Sequence, residues 1–194
     1  MIFLTGPHGS GKTTGSKLLE QYGFKVIDLG PTLRRLHTES DSSLSFGEWC
    51  RAGEADQGAN FTDNLLINEI NKRFSAVGGS SSDFLDLLIV GSRSAEGIQY
   101  LRTRAKCETA YTDSIIFLDA PFEILLRNYS EREGSRYSRG TFQVILERDR
   151  EMGLESIRSI ANYVVRNDGS LELLAANLEA LIFVTLKYRR RVVE

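Results

Sequence analysis

The sequence feature that most constrains the fold is an apolar run that leads directly into a glycine-rich segment. Ile2–Thr5 has the length of a buried strand, and GPHGSGKT follows over residues 6–13. The spacing G-x-x-x-x-G-K-T is that of a phosphate-binding loop, which requires a strand before it and a helix after it. Lys12–Tyr22 is rich in helix-forming residues. The context therefore predicts a working phosphate cradle rather than a glycine-rich turn with a surface lysine.

Each residue type in the loop has a physical reason to be there. Glycines let the backbone turn its N–H groups toward phosphate oxygens, and the helix N-terminus adds its dipole. Lys12 is expected to bridge the β- and γ-phosphates, and the Thr13 hydroxyl to ligate Mg²⁺. ATP and Mg²⁺ are thus the predicted cofactors. The predicted nucleotide contacts are Gly6, Pro7, His8, Gly9, Ser10, Gly11, Lys12, Thr13 and Thr14.

His8, inside the loop, has two interpretations. An imidazole next to transferring phosphates can serve as a catalytic base. A variable residue of such a loop more often faces solvent or the nucleotide, and we expect this second arrangement for the His8 side chain.

Short apolar runs alternate with helix-like segments along the whole chain. Besides Ile2–Thr5, strands are predicted at Phe24–Ile27, Leu85–Val90, Ser114–Leu118 and Tyr163–Val165. Helices are predicted at Lys12–Tyr22, Thr62–Phe74, Ala95–Lys106, Phe122–Tyr129, Thr141–Met152 and Ser170–Tyr188. Continuous apolar strands are typical of parallel sheets that are buried on both faces. The alternation predicts an α/β fold, a three-layer doubly wound parallel sheet of five strands, with ligands at the carboxyl ends of the strands.

Length and composition indicate one ordinary globular domain. The 194 residues suit a single domain with a small helical lid, and we predict an acceptor-binding helical region at about 31–77 and a lid at about 127–140. The glycine- and serine-rich stretch 77–82 predicts a flexible connection. The net charge of −2 and the pI of about 5.8 disfavour a protein that lives on bare nucleic acid.

Cysteine usage and the N-terminal sequence suggest where such a chain works. Cys50 and Cys107 lack metal-binding spacing, which favours idle thiols in a reducing compartment. Ile2–Leu4 is too short for a signal peptide, and no segment has the length of a membrane span. We therefore expect a cytoplasmic protein without a membrane partner, as a monomer or a homodimer.

The loop alone does not separate kinases from other nucleotide-binding classes, but two absences narrow the choice. The sequence has no N-K-x-D guanine-reading signal. The predicted strand LDLLIV is not followed by an acidic pair, which disfavours an ATPase that activates water. At this length, a kinase of a small molecule or a polynucleotide is the natural alternative.

Three segments carry a family resemblance. Residues 26–34 read VIDLGPTLR, residues 90–93 read VGSR, and the C-terminal third contains Arg148-Asp149 and then YVVRNDGS from Tyr163. On these motifs the chain resembles the nucleotide-kinase branch of P-loop proteins and is most similar to dephospho-CoA kinases and adenylate-kinase-related proteins. The resemblance implies a P-loop kinase fold, an acceptor held by Arg34 and Arg93, and the backbone around Asn167 and Asp168 beside the adenine.

The chain departs from the family pattern at three acidic positions. Gly30 stands where dephospho-CoA kinases have their presumed base, and Pro31 stands where the related turn has an aspartate. Val90 replaces an aspartate that supports the Mg²⁺ from outside its ligand sphere. Metal binding is then expected to rest on Thr13, the phosphates and water, and the acceptor to be an unusual one.

Asp28 ends the second predicted strand, where it would face the cradle. A hydroxyl acceptor benefits from a carboxylate that takes its proton, whereas a phosphate acceptor is already ionised. The residue therefore favours a hydroxyl acceptor. The alternative is that Asp28 caps the helix that follows.

Further arginines and one tryptophan are candidates for the acceptor side. Arginine gives bidentate contacts to phosphate or carboxylate, so Arg51 joins Arg34 and Arg93 as a predicted substrate-binding residue. Trp49 either stacks on a base or packs between helices. Both interpretations of Trp49 stay open at this point.

A polar segment dotted with arginines, residues 127–140, follows the fourth strand and its helix. The family carries a lid at this place, and closure would bring an arginine to the transferring phosphoryl group and exclude water. Arg127 is predicted to contact the nucleotide, and Arg132 and Arg136 to act in catalysis. The alternative is a solvated loop.

Together these features predict an ATP-dependent phosphotransferase in which Lys12, Asp28, Arg132 and Arg136 are catalytic. The predicted acceptor is a nucleotide or nucleoside-like compound, phosphorylated at a hydroxyl. One alternative is a kinase of a hydroxymethyl base within DNA, in a phage hypermodification system, where Trp49, Tyr129 or Tyr137 would hold a flipped base. Another is a nucleotide-binding ATPase switch without an acceptor.

Overall fold

Strands and helices alternate along the chain in the structure, a computed structural model that describes residues 1–75, 86–104 and 113–193. For residues 73–75 and 185–193 it describes the backbone alone. The predicted connection at 77–82 and Cys107 lie outside the described residues. The strands are β1 (Ile2–Thr5), β2 (Lys25–Asp28), β3 (Leu87–Val90), β4 (Ser114–Asp119) and β5 (Tyr163–Arg166).

Helices lie on both sides of one sheet, whose strand order is β2-β3-β1-β4-β5 and whose neighbouring strands are all parallel. The predicted doubly wound five-stranded sheet is confirmed. No helix within the described ranges combines the length and apolarity needed to cross a bilayer. The helices are α1 (Lys12–Glu20), α2 (Leu29–Glu39), α3 (Phe46–Gln57), α4 (Phe61–Ser75), α5 (Ala95–Arg104), α6 (Phe122–Glu133), α7 (Arg139–Glu151), α8 (Leu154–Ile160) and α9 (Leu171–Val193).

Both faces of the central strand are buried, which explains its uninterrupted apolar sequence. Phe3 points into a core that α4, α5 and α8 cover. Its neighbours Ile2 and Leu4 point into a second core, covered by α1 and α9. Successive side chains of a strand alternate between faces, so helices on both sides of the sheet pack against Ile2, Phe3 and Leu4. The strand from which the phosphate loop starts is thereby held from both sides.

Three helices, α2, α3 and α4, lie between β2 and β3 along the chain, in the region that we predict to bind the acceptor. α3 begins with a capping box, in which Ser45 and Glu48 satisfy each other's backbone N–H groups. A side chain at Gly53 would collide with the Phe61 ring, so this glycine lets α3 and α4 approach closely. Together α2, α3 and α4, residues 29–75, form a helical wall beside the end of β2.

The predicted lid segment is mostly helical in the structure. Residues 127–133 form the second half of α6, which ends at Gly134 with φ of 64°, and α7 begins at Arg139. α6 and α7 share a small apolar core of their own around Phe142 and Leu125. The arginines of this segment are therefore displayed from a helix end and a short connection.

Candidate active site

The phosphate loop requires glycine at three positions for reasons that the geometry makes explicit. Gly6, Gly9 and Gly11 have φ of 144°, 79° and 91°, a region that side chains disfavour. A side chain at Gly6 or Gly9 would also collide with a backbone carbonyl, that of Leu118 or Leu125. The loop thus lies directly against the end of β4 and the first turns of α6.

The Lys12 amine is folded back onto the loop. Its Nζ donates to the carbonyl oxygens of Gly6 and Pro7, each at 2.7 Å. Burial, followed by the positive charge of Arg93, lowers the pKa of Lys12 to about 7. A polyphosphate in the cradle would supply the opposite charge and favour the protonated amine.

Two asparagine side chains from different parts of the chain donate hydrogen bonds to the loop. Asn128 Nδ2 on α6 donates to the carbonyl of Gly9 at 2.9 Å, and Asn167 Nδ2, just after β5, donates to the carbonyl of Ser10 at 3.0 Å. The sequence singled out Asn167 only through the family resemblance, and it gave Asn128 no role. Neither hydrogen bond follows from local sequence, because the partners are 119 and 157 residues apart.

A cavity of about 440 Å³ opens beside the loop. It brings together most of the predicted nucleotide-contacting residues and two of the three predicted lid arginines. Asp168 is not among its lining residues, since its side chain is exposed and pairs with Arg166. The cavity is lined by Gly9, Gly11, Lys12, Thr13, Thr14, Ile124, Arg127, Asn128, Glu131, Arg132, Asn167, Gly169, Leu171 and Leu174.

The residues around the cradle fit a Mg²⁺ that arrives with a nucleotide. Thr13 is exposed at the start of α1 and lines the cavity. Val90, at the position where the family has an aspartate, is buried in the core. Within the described ranges no three His, Cys, Asp or Glu side chains cluster as a metal site. The Thr13 hydroxyl is therefore the ligand we expect from the chain, and Mg²⁺ commonly takes its remaining ligands from phosphates and water.

Asp28 lies at the carboxyl end of β2, where it both caps the following helix and lies near the Lys12 amine. Its Oδ1 accepts a hydrogen bond from the Gly30 N–H at 3.3 Å, so it caps α2. The same carboxylate lies within electrostatic reach of Lys12 and Arg34. Burial is the largest influence and raises the pKa of Asp28 above its usual range. A carboxylate of raised pKa is better suited to take up a proton.

Arg93 does not stand free at the end of β3. Its Nη1 donates to Asp149 Oδ1, and its Nη2 lies 3.3 Å from His8 Nε2. Asp149 also accepts from the His8 backbone N–H and from His8 Nδ1, each at 2.9 Å. The His8 side chain therefore faces Asp149 and Arg93, whereas we expected solvent or nucleotide. The family resemblance pointed to Asp149 without indicating these partners.

The three predicted lid arginines occupy different surroundings. Arg132 lines the cavity, stacks over the Tyr129 ring at 4.9 Å, and its charge helps to lower the pKa of Lys12. Arg127 also lines the cavity, beside Asn128. Arg136 is exposed on the connection between α6 and α7, and it makes no hydrogen bond or ion pair with the described part of the chain. The structure thus brings two of the three to the site.

Among the predicted acceptor-binding residues of α2 and α3, Arg34 and Trp49 pack against aromatic rings of α2, α3 and α4. The Arg34 guanidinium lies over the Phe46 ring at 5.4 Å, close to Asp28. Trp49 packs among His37, Phe46 and Phe61, with ring centroids 5.2–6.2 Å away. Arg51 is exposed on α3. The geometry favours the packing interpretation of Trp49.

Comparison with known proteins places this site in a family context. A UPF0200 protein of Saccharolobus islandicus is 25% identical over 191 residues, which cover 96% of this chain and 94% of the relative. Shikimate kinase from Acinetobacter baumannii, solved with shikimate, superimposes with a TM-score of 0.57 and 21% identity over 94% of this chain and 92% of that one. A gluconokinase from Sinorhizobium meliloti gives a TM-score of 0.55 and 16% identity over 97% and 95%.

At these identities the solved structures establish the fold, which is that of P-loop kinases, and the predicted resemblance to that superfamily is confirmed. The family match is broader than any single motif, because it runs from the first strand through the helix that carries Asp149. Since residues 2–152 match the AAA domain family, the chain belongs to that family.

Proposed function

We propose that the protein is an ATP- and Mg²⁺-dependent kinase that transfers the γ-phosphoryl group to a hydroxyl of a nucleotide or nucleoside-like acceptor. The observation that carries the proposal is the convergence of four charged side chains on Lys12. Arg93, Asp149, Arg132 and Asp28 come from four different parts of the fold, and each acts electrostatically on the Lys12 amine. A simple nucleotide-binding module would not require this arrangement, whereas phosphoryl transfer does.

On the nucleotide side, the loop and the cavity beside it would bind the triphosphate. Backbone N–H groups and the Lys12 amine would hold the phosphates, while Arg127 and Asn167 would border the rest of the nucleotide. Mg²⁺, when bound with the nucleotide and the Thr13 hydroxyl, would neutralise phosphate charge. The cradle would then hold the phosphoryl group in a fixed position.

On the acceptor side, Asp28 would accept the hydroxyl proton and Arg93 would hold an anionic group of the acceptor. Arg34 lies near Asp28 and would contribute a second cation. Arg132 would stabilise negative charge on the phosphoryl group during transfer. The structural neighbours named shikimate kinase and gluconokinase support a small-molecule acceptor over a polymer.

The test is a transfer assay with γ-labelled ATP and three kinds of acceptor: nucleosides, nucleotides and hydroxymethylated duplex DNA. We expect label in a small acceptor. Lys12→Ala should abolish transfer because the cradle loses its cation, whereas Lys17→Ala, exposed on the same helix, should leave it unchanged. Label in DNA alone would replace the small-molecule proposal, and phosphate release that ignores every acceptor would indicate a switch.

A further inference from the structure

A cluster of three side chains lies where the phosphate loop, the end of β3 and α7 meet. Asp149 on α7 is buried, with 1% of its side chain exposed, and it contacts both His8 and Arg93. His8 and Arg93 keep 25% and 27% of their side chains exposed. Since the Asp149 carboxylate is buried and its two partners are partly exposed, α7 supplies the buried side chain that holds the other two in place.

The hydrogen bonds admit one protonation state of the His8 ring. An ionised carboxylate only accepts hydrogen bonds, so the Nδ1 atom that faces Asp149 must carry a hydrogen. A guanidinium only donates, so the Nε2 atom that faces Arg93 must present its lone pair. The neutral ring protonated at Nδ1 satisfies both contacts, whereas an imidazolium would set a hydrogen against Arg93.

The consequence falls on Arg93. Asp149 holds Nη1 and His8 holds Nη2, so the planar guanidinium has two terminal nitrogens fixed and loses its freedom to rotate. The remaining N–H groups are left for another ligand. Fixing a planar donor before the ligand arrives reduces the entropy that binding must cost.

We propose that His8 is a positioning residue for Arg93: a neutral ring, held at Nδ1 by Asp149, accepts a hydrogen bond from Arg93 and fixes that cation beside the cradle. The inference rests on the proposed function only for what Arg93 then binds, an anionic group of the acceptor. His8 belongs to the phosphate loop, and Asp149 belongs to α7. Their contacts with Arg93 therefore link the loop and α7 to the residue proposed to bind the acceptor.

Of the three charged groups that act on the ring, two oppose its protonation and one favours it. Arg93 and Lys12 are cations from the end of β3 and from α1, Asp149 is the anion from α7, and the Tyr129 ring of α6 lies edge-on at 5.6 Å. Burial is the largest influence, and together with the two cations it outweighs Asp149, so the pKa of His8 lies below its ordinary value. The neutral ring should therefore persist at neutral pH.

The direct test is ¹⁵N–¹H spectroscopy of the histidine rings in the whole protein. The chain has two histidines, so the signals lost in His8→Gln identify His8. We expect protonated Nδ1 and unprotonated Nε2 at pH 7. Arg93→Met should raise the midpoint of the His8 titration, because it removes a donor and a positive charge. A ring protonated at Nε2, a charged ring at pH 7, or a titration indifferent to Arg93→Met would overturn the proposal.

Kinetics provide the second test with a matched pair of substitutions. His8→Asn keeps an amide that can donate to Asp149 but falls short of Arg93, whereas His8→Gln extends far enough to accept from Arg93. We expect His8→Asn to raise the acceptor KM about tenfold, with the ATP KM unchanged, and His8→Gln to rescue most of that loss. Equal increases in the ATP KM for both variants would mean that His8 only shapes the loop. If no kinase activity exists, the proposed function fails while the spectroscopic result still decides the state of the ring.

Discussion

At the scale of single residues, Asp149 is a buried carboxylate whose partners come from distant parts of the chain. Burial alone would raise the pKa of this carboxyl, but hydrogen bonds from His8 and the charge of Arg93 outweigh it, so the pKa lies below its usual range. A native pKa that lies below the unfolded one stabilises the folded protein above the unfolded pKa. That contribution is lost as the pH falls through the native pKa.

Asp149→Asn should consequently destabilise the protein in a pH-dependent way. We expect a loss of about 3 kcal/mol in the free energy of unfolding at pH 7, because Arg93 is left half-buried without its anion. The difference from wild type should shrink below about pH 4, where Asp149 itself becomes protonated. Urea unfolding across pH measures it. The control is Glu147→Gln on the exposed side of α7, and a loss that is independent of pH would contradict the linkage.

Asp28 combines a cap and a proposed base, and one substitution separates them. Asparagine caps helices about as well as aspartate, so Asp28→Asn should keep the stability within about 0.5 kcal/mol. Phosphoryl transfer should fall by about 100-fold or more, because the amide cannot take a proton. The measurements are urea unfolding and kcat. If Asp28→Asn retained full kcat, the side chain would be a cap alone.

How far the sequence predicts the site differs from residue to residue. Lys12 and Thr13 belong to a contiguous motif with one geometry, so their placement in the cavity could be predicted. The contact between His8 and Asp149 spans 141 positions, and no local pattern encodes it. It depends on how α7 docks against the loop, which is a property of tertiary packing.

At the scale of elements, α6 and α7 decide which arginine reaches the cavity. The sequence placed Arg132 and Arg136 in one lid and could not distinguish them. α6 continues to Glu133, which keeps Arg132 on the helix facing the cavity, and Gly134 then ends the helix, so Arg136 falls on the exposed connection. The glycine that ends the helix can be recognised in the sequence, but the direction in which the helix points cannot.

The two arginines therefore make a matched pair for mutagenesis. Arg132→Ala should lower kcat about 100-fold, because a cation beside the transferring phosphoryl group is lost. Arg136→Ala should change kcat by no more than about twofold. Steady-state transfer from labelled ATP measures both kcat values. Equal losses would show that the connection between α6 and α7 moves Arg136 into the site during catalysis.

Strand positions were predictable and some helices were not. The prediction for β1 matches its bounds, β4 and β5 each extend one residue further than predicted, and β2 begins and ends one residue later. The strands β1 and β4 are buried on both faces and therefore leave an unbroken apolar run. α8 was missed, since seven residues give too little periodicity to stand out. α3 was predicted only as part of a helical region, although its capping box marks the start.

At the scale of the whole molecule, nucleotide binding should appear as global stabilisation. A non-hydrolysable ATP analogue with Mg²⁺ at about 100 times its Kd should add about 2.7 kcal/mol to the free energy of unfolding. For a chain of this size that raises Tm by roughly 5–10 °C. Differential scanning calorimetry measures it. Lys17→Ala should behave like wild type, and an undiminished shift in Lys12→Ala would contradict the placement of the phosphates.

The architecture as a whole could be predicted, while the acceptor could not. Alternating strands and helices admit few topologies, and the phosphate loop fixes which strand comes first. The wall proposed to face the acceptor is assembled from α2, α3 and α4, whose mutual packing involves Gly53 under Phe61 and rings such as Trp49. Composition and periodicity do not specify the shape of the surface that such contacts produce.

The position of α2, α3 and α4 between β2 and β3 also bears on how proteins of this kind diversify. The phosphate loop belongs to the turn after β1, and the nucleotide cavity draws on α6 and on the residues after β5. One continuous piece of gene, covering residues 29–75, therefore encodes the wall proposed to face the acceptor. Exchange of that piece between relatives would replace the wall in a single recombination, while Asp28, Arg93 and the triphosphate site were inherited unchanged.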